Sequence, residues 1–178
     1  MFKQLWNKLK NRWLLQGVNT LGKDVSLLKR PSIQNEGMLR IGDRTELRSD
    51  IHRCRLAVQA GAKLSIGEDC WINGAMIAAT NSVTIGNHCR LAPFVHIMDG
   101  DFHDLQDRTL PGESAPVILE DFVKVGTRAI ILKGVRVHKG AAIAPGSIVT
   151  KDVPPDTLVA GVPAKPIKKL NAYSDSLI

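Results

Sequence analysis

The run Met98-Asp99-Gly100-Asp101-Phe102-His103-Asp104 sets one imidazole among carboxylates. A histidine on a loop beside a rigid scaffold is a general-base candidate. A neighbouring acid or carbonyl fixes its tautomer and brings its basicity into the neutral range. Asp101 or Asp104 could orient the ring, and a backbone carbonyl could do the same. The bland reading is a surface histidine in an acidic loop. A second set lies near the end of the chain, where Lys151, Lys165, Lys168 and Lys169 follow or sit among prolines. They could meet a phosphorylated ligand as point charges, or be ordinary solvated lysines. Neither GxxxxGK[ST] nor GxGxxG occurs, so a nucleotide would be held by something other than a phosphate loop.

The elements that must position these residues are legible in Val117–Val149. Cut into sixes, the stretch opens on Val125, Ile131, Val137 and Ile143, and its fifth places are Ala129, Val135, Ala141 and Ser147. A hexapeptide period of this kind marks a parallel β-helix. Each six is a short strand and a corner. The opening aliphatic and the small fifth residue point inward, and one coil lies 18 residues on, so Val125 stacks over Ile143 and Gly126 over Ala144. One coil cannot bury its own inner face, so stability comes from contacts between neighbours. An α-helix would need apolar residues at a period of 3.6 and fewer glycines.

The frame continues back through Leu91, Ile85 and Ile66, and more weakly to Ile41. It predicts three segments: residues 1–40, an amphipathic helix and a transition; 41–150, the solenoid; and 151–178, a tail after Pro154-Pro155 stops the ladder. The one large break, Met98–Pro116, is a loop long enough to be functional. Residues 2–16 place Phe2, Leu5, Trp6, Leu9 and Trp13 on one helical face, with Lys3, Lys8, Lys10 and Arg12 elsewhere. That helix either caps the open end of the solenoid or lies on an anionic membrane surface.

The formal charge is +7, and residues 1–30 carry seven Lys/Arg against Asp24 alone, so the basicity is local. With no nucleic-acid motif it does not point to nucleic acid. Aromatic content of 4% suits a narrow bore filled by aliphatic residues. Cys70 and Cys89 both take the inward fifth place and should stack as reduced core thiols. No signal peptide or membrane-spanning run is read, and the expected location is cytoplasmic, with peripheral contact at the inner membrane if residues 1–16 take the membrane alternative.

The segment IAPGSIVTKDVPPDTLVAGVPAKPI, Ile143 to Ile167, resembles the C-terminal signature of the left-handed β-helix acyltransferases. With the DFHD loop, the chain is most similar to the bacterial polysaccharide and colanic-acid O-acetyltransferases, over about residues 41–170. The resemblance implies a left-handed hexapeptide-repeat solenoid, acetyl-CoA as donor with no metal, a sugar or glycan acceptor, and a homotrimer with active sites between adjacent solenoids. It implies His103 as catalytic base and Asn73 as the contact to acceptor or oxyanion. It places Gly126, Thr127, Ala144 and Pro145 along the pantetheine arm, Thr150, Lys151, Lys165 and Lys168 around adenine and phosphates, and Pro163 near the adenine. Lys124 stands where relatives often have a Trp lining the arm. Rival readings are N-acetylation of a nucleotide-linked amino sugar, a zinc carbonic anhydrase of the same fold drawing on His52, His88, His96, His103 or His138, and a scaffold without catalysis.

Overall fold

The computed structural model describes residues 13–171. The helix expected over 2–16 lies outside them apart from its last residues, where Leu15 is buried, Trp13 is exposed and the Arg30 guanidinium sits 5.5 Å from the Trp13 ring centre.

The chain winds into a three-sided parallel β-helix. The first face runs from Thr20–Leu21 to Arg136–Val137 and the third from Ser32–Asn35 to Ile148–Val149, six strands each. The second has eight: Ser26–Leu28, Glu46–Arg48, Trp71–Asn73, Arg90–Leu91, Lys124–Val125, Ala142–Ile143, Thr157–Gly161 and Ala164–Lys169. All pairings are parallel except that of the last two strands. Alternation explains the residue types, because a residue facing the bore is flanked by residues facing out. Val125, Ile131, Val137, Ile143 and Val149 fill the bore, with Ala129, Val135, Ala141 and Ser147 at the corners between them. Val125 pairs with Ile143, in the 18-residue register the repeat predicts. Cys54, Cys70 and Cys89 are all buried with free thiols. Burial pushes the Cys54 thiol up, which keeps it protonated and unreactive at neutral pH.

Two stretches that look non-repetitive in the sequence belong to the solenoid. The first coil starts at Thr20, inside the expected transition: Leu21 pairs with Ile41, Leu27 with Leu47 and Ile33 with Leu56. Gly22 is a packing requirement there rather than a breaker, since a Cβ on it would lie 2.5 Å from the Asp43 nitrogen. At the other end, Thr157–Gly161 adds to the second face beside Ala142–Ile143. Ala164–Lys169 then folds back antiparallel as its edge strand, with a register shift at Leu158/Val159 that admits Pro166.

Candidate active site

The polar loop leaves the third face after Met98 and rejoins the first at Val117. Partners across it are 34 residues apart, as Arg90 with Lys124, against 18 for Lys124 with Ala142. It is therefore an insertion at the corner between these faces. Asp99, fully buried, roots it: its carboxylate accepts from the Thr80 amide at 2.7 Å, the Thr80 hydroxyl at 2.8 Å and the Asn81 amide at 2.8 Å. Gly100 bridges Ser114, and the Asp101 amide donates to the Glu113 carbonyl at 2.8 Å, closing the neck of the loop. Lys133, on the coil below, clamps the same neck through Asp101 and, at 3.1 Å, Glu113; these carboxylates hold its ammonium above the ordinary lysine range. Gly112 lies so close to the opposite strand of the loop that a Cβ would sit 2.7 Å from the His103 carbonyl oxygen.

These ties carry His103. Its Nδ1 lies 2.9 Å from the Asp104 carbonyl oxygen. A carbonyl only accepts, so Nδ1 bears the hydrogen, and in the neutral ring this is the tautomer a general base needs, with the lone pair on Nε2. The Asp104 carboxylate is used elsewhere. It accepts from the amides of Gln106 at 2.8 Å and Asp107 at 3.0 Å, and the bonds from Asp107 and Gln106 hold it below the usual aspartate range. Phe102, Leu105 and Leu110 of the same loop are exposed.

A second feature runs down the outer surface of the second face. Register stacks one outward column as Glu46, Trp71, Arg90, Lys124, Ala142, Leu158 and Lys168. Beside it, at the corner with the third face, a second column reads Arg48, Asn73, Ala92, Gly126, Ala144, Ala160 and Lys165. Four successive small residues make a smooth track between the larger column and the corner. At roughly 4.8 Å per rung, Asn73 to Ala160 spans about 19 Å. The upper part opens into a groove of about 400 Å³, mostly apolar, lined by Trp71, Asn73, Arg90, Pro93, Lys124 and Gly126 among others.

The structure thus brings Asn73, Gly126, Ala144 and Pro145 onto one corner. Gly126 packs on the next coil so tightly that a Cβ would lie 2.6 Å from the Pro145 nitrogen. The Thr127 carbonyl accepts from the Gly146 amide at 2.9 Å, and the hairpin carrying Pro163 meets the same corner through the Gly161 amide and the Ser147 hydroxyl at 3.2 Å. Lys165 and Lys168 sit at the foot of the track. Thr150 and Lys151 follow the third-face strand Ile148–Val149 and lie at the other corner, the one that bears the loop, below Lys133. His103 is on that corner too, so within one chain it and Asn73 are on different edges of the prism. The sequence reading missed Trp71, Arg90 and Pro93. The coil period was the signal: Trp71 stands in the column of Lys124, two rungs up, so the groove has a tryptophan although Lys124 replaces the expected one.

No family model matches the chain. Over 66 residues it is 54% identical to the 2,3,4,5-tetrahydropyridine-2,6-dicarboxylate N-acetyltransferase of Staphylococcus aureus, a match covering 37% of this chain and 28% of that relative. AntD, an N-acyltransferase from Bacillus cereus solved as a point mutant with dTDP and coenzyme A, superposes with a TM-score of 0.73 at 24% identity over 92% of this chain and 89% of that one. A maltose O-acetyltransferase from Clostridium difficile superposes with a TM-score of 0.57 at 24% identity, covering 94% and 82%. The chain has the left-handed β-helix fold of the hexapeptide-repeat acetyltransferases. At these identities the solved structures share the fold, and the curated relative shares a segment of it.

Proposed function

We propose that this chain is an acetyl-CoA-dependent O-acetyltransferase acting on a sugar hydroxyl of a bacterial polysaccharide or its precursor. The observation that carries the reading is the His103 imidazole, fixed by the Asp104 carbonyl with Nε2 free to take a proton. In the proposed reaction Nε2 accepts the proton of the acceptor hydroxyl as its oxygen attacks the thioester carbonyl. The Asn73 amide donates to the oxyanion that forms, and a donor so placed is worth about 3 kcal/mol in the transition state. Collapse of the intermediate breaks the C–S bond, and the imidazolium returns its proton to the leaving thiolate. The donor's arm lies along Ala92, Gly126, Ala144 and Ala160, with Lys165 and Lys168 meeting its phosphates.

The site is completed by a second copy. The outer surface of the third face joins the His103 corner to the Asn73 corner, and Met76, Ala78, Ile130 and Ile148 stand on it, with His96 between Met76 and Ile130 and Arg55 above them. Three copies packing this face around a common axis would set the loop corner of each against the track corner of the next. That arrangement also covers Phe102, Leu105 and Leu110, and brings Thr150 and Lys151 to the neighbour's donor track. N-acetylation of a nucleotide-linked amino sugar is the second reading, favoured by the likeness to AntD.

Subunit complementation tests both halves of the proposal. His103→Ala and Asn73→Ala are each expected to lower kcat by about 10²-fold or more. Co-refolding the two chains is expected to restore activity, because mixed trimers contain some intact shared sites. Near-normal kcat in His103→Ala would refute the base, and no recovery on mixing would refute the shared site.

A further inference from the structure

The upper rungs of the second face hold a cation that the donor track does not use. Arg90 stands between Trp71 and Lys124 in the outer column and lines the apolar groove beside Asn73. Its Nη1 donates to backbone carbonyls, of Asp69 and, at 3.4 Å, of Cys89. Among the described residues no carboxylate forms an ion pair with it. The carboxylates that share the upper hollow with it are taken: Asp69 by Arg44 at 2.6 and 2.8 Å, while Glu46 lies 4.0 Å from Arg48. Trp71, 41% exposed, forms the wall shared by this groove and a hollow above it, and Arg90 lines both.

Arg90 is too far up the face to serve the phosphates placed at its foot. It shares its column with Lys168, four rungs away, which is roughly 19 Å at 4.8 Å per rung. That exceeds the screening length of about 8 Å in physiological salt. The two ends of the column therefore hold separate cations. The upper one is level with the rung beside Asn73, where transfer is placed.

We propose that Arg90, with Lys124 below it and Trp71 as an aromatic platform, binds an anionic group of the acceptor, so that the substrate class is an acidic or phosphorylated sugar rather than a neutral one. The inference rests on the acetyl-transfer reading for the placement of the acceptor beside Asn73. A guanidinium donates two parallel hydrogen bonds to either a carboxylate or a phosphate, so the chemistry admits both sources. The Arg48 guanidinium sits 5.3 Å from the Trp71 ring centre on one side, and stacking on the opposite face would orient the sugar, whose hydroxyl then faces the His103 of the adjoining copy.

Glucuronic acid, glucose 6-phosphate and glucose, titrated separately onto the full chain by tryptophan fluorescence, test this. Trp71→Phe serves as the control that assigns the signal. The expected result is at least about 10-fold tighter binding of one acidic sugar than of glucose, the size of one hydrogen bond to a charged group. The tighter of the two acids tells carboxylate from phosphate. Arg90→Gln should abolish that preference while acetyl-CoA affinity by calorimetry stays within about twofold, and Lys124→Gln, beside the donor track, should reduce the preference. Equal binding of all three sugars would overturn the inference. So would an Arg90→Gln chain that binds acetyl-CoA more weakly and the acids unchanged, since the anion would then be the donor's. Acid binding without any acetyl-CoA binding would support the anion site and refute the acetyl-transfer reading alone.

Discussion

Asp99→Ala is the substitution that most sharply separates the loop from the solenoid. The carboxylate is fully buried and accepts three hydrogen bonds, from two backbone amides and one hydroxyl at the corner above. Alanine leaves the Thr80 and Asn81 amides, both in part-buried bonds, without this acceptor, each at a cost in the lower part of about 1–3 kcal/mol. The hydroxyl can turn to water, so the sum is about 3 kcal/mol. In a protein of this size 1 kcal/mol moves Tm by roughly 2–4 °C, so Tm should fall by about 6–12 °C. The carbonyl of Asp99 also accepts from the Ala115 amide at 2.8 Å, which joins the two ends of the loop. Release of that root should therefore misplace His103, and kcat should fall by at least about 10-fold, since small misplacements of catalytic groups are costly. Asp99→Asn keeps one acceptor oxygen and should lose less than half as much stability. Thermal melts and initial rates on the three chains are the assay. A Tm within about 2 °C of wild type for Asp99→Ala, or full activity despite a lowered Tm, would refute the reasoning.

Lys133→Met removes the clamp on Asp101 and Glu113. These are partly exposed pairs worth about 0–1 kcal/mol each, so Tm should barely move while kcat falls several-fold; unchanged kcat would show that the clamp does not position His103. The Asp104 carboxylate is held below its ordinary range by the Asp107 and Gln106 amides. Its folded value is the lower one, so its contribution is complete above the unfolded value of about 3.9 and is lost as pH falls through the folded value. Hydrogen exchange at Gln106 and Asp107 should accordingly be flat from about pH 5 upward and accelerate relative to the intrinsic rate only below about pH 4. Loosening that begins near neutral pH would mean another group holds the turn.

The solenoid was legible because its inner positions admit few residue types, and the period of six survives wherever coils are 18 residues long. It was lost where corners lengthen. Leu21, Leu27, Ile33 and Leu39 are six apart, and Val25 takes a fifth place, so the first coil carries the signal. The glycines and Pro31 among them look like breakers in the sequence although they serve corners. The seven-residue spacing from Arg48 to Arg55 then shifts the frame. His103 stood out by chemistry, but its orientation by the Asp104 carbonyl rather than by a carboxylate depends on loop backbone geometry that no spacing encodes. Trp71 and Arg90 were missed for another reason. Their importance lies in the outward columns, and those emerge only once coils of unequal length are aligned by hydrogen bonding.

The column of small residues from Ala92 to Ala160 is where the proposed donor arm lies. Calorimetric titration of acetyl-CoA into wild type and into Ala144→Trp, which places an indole on the smooth column without touching the bore, tests it in one step. The account predicts saturable binding to wild type at one site per chain and at least about 10-fold weaker binding to the blocked chain, with an unchanged melt. No binding to wild type, or equal binding to both chains, would contradict it.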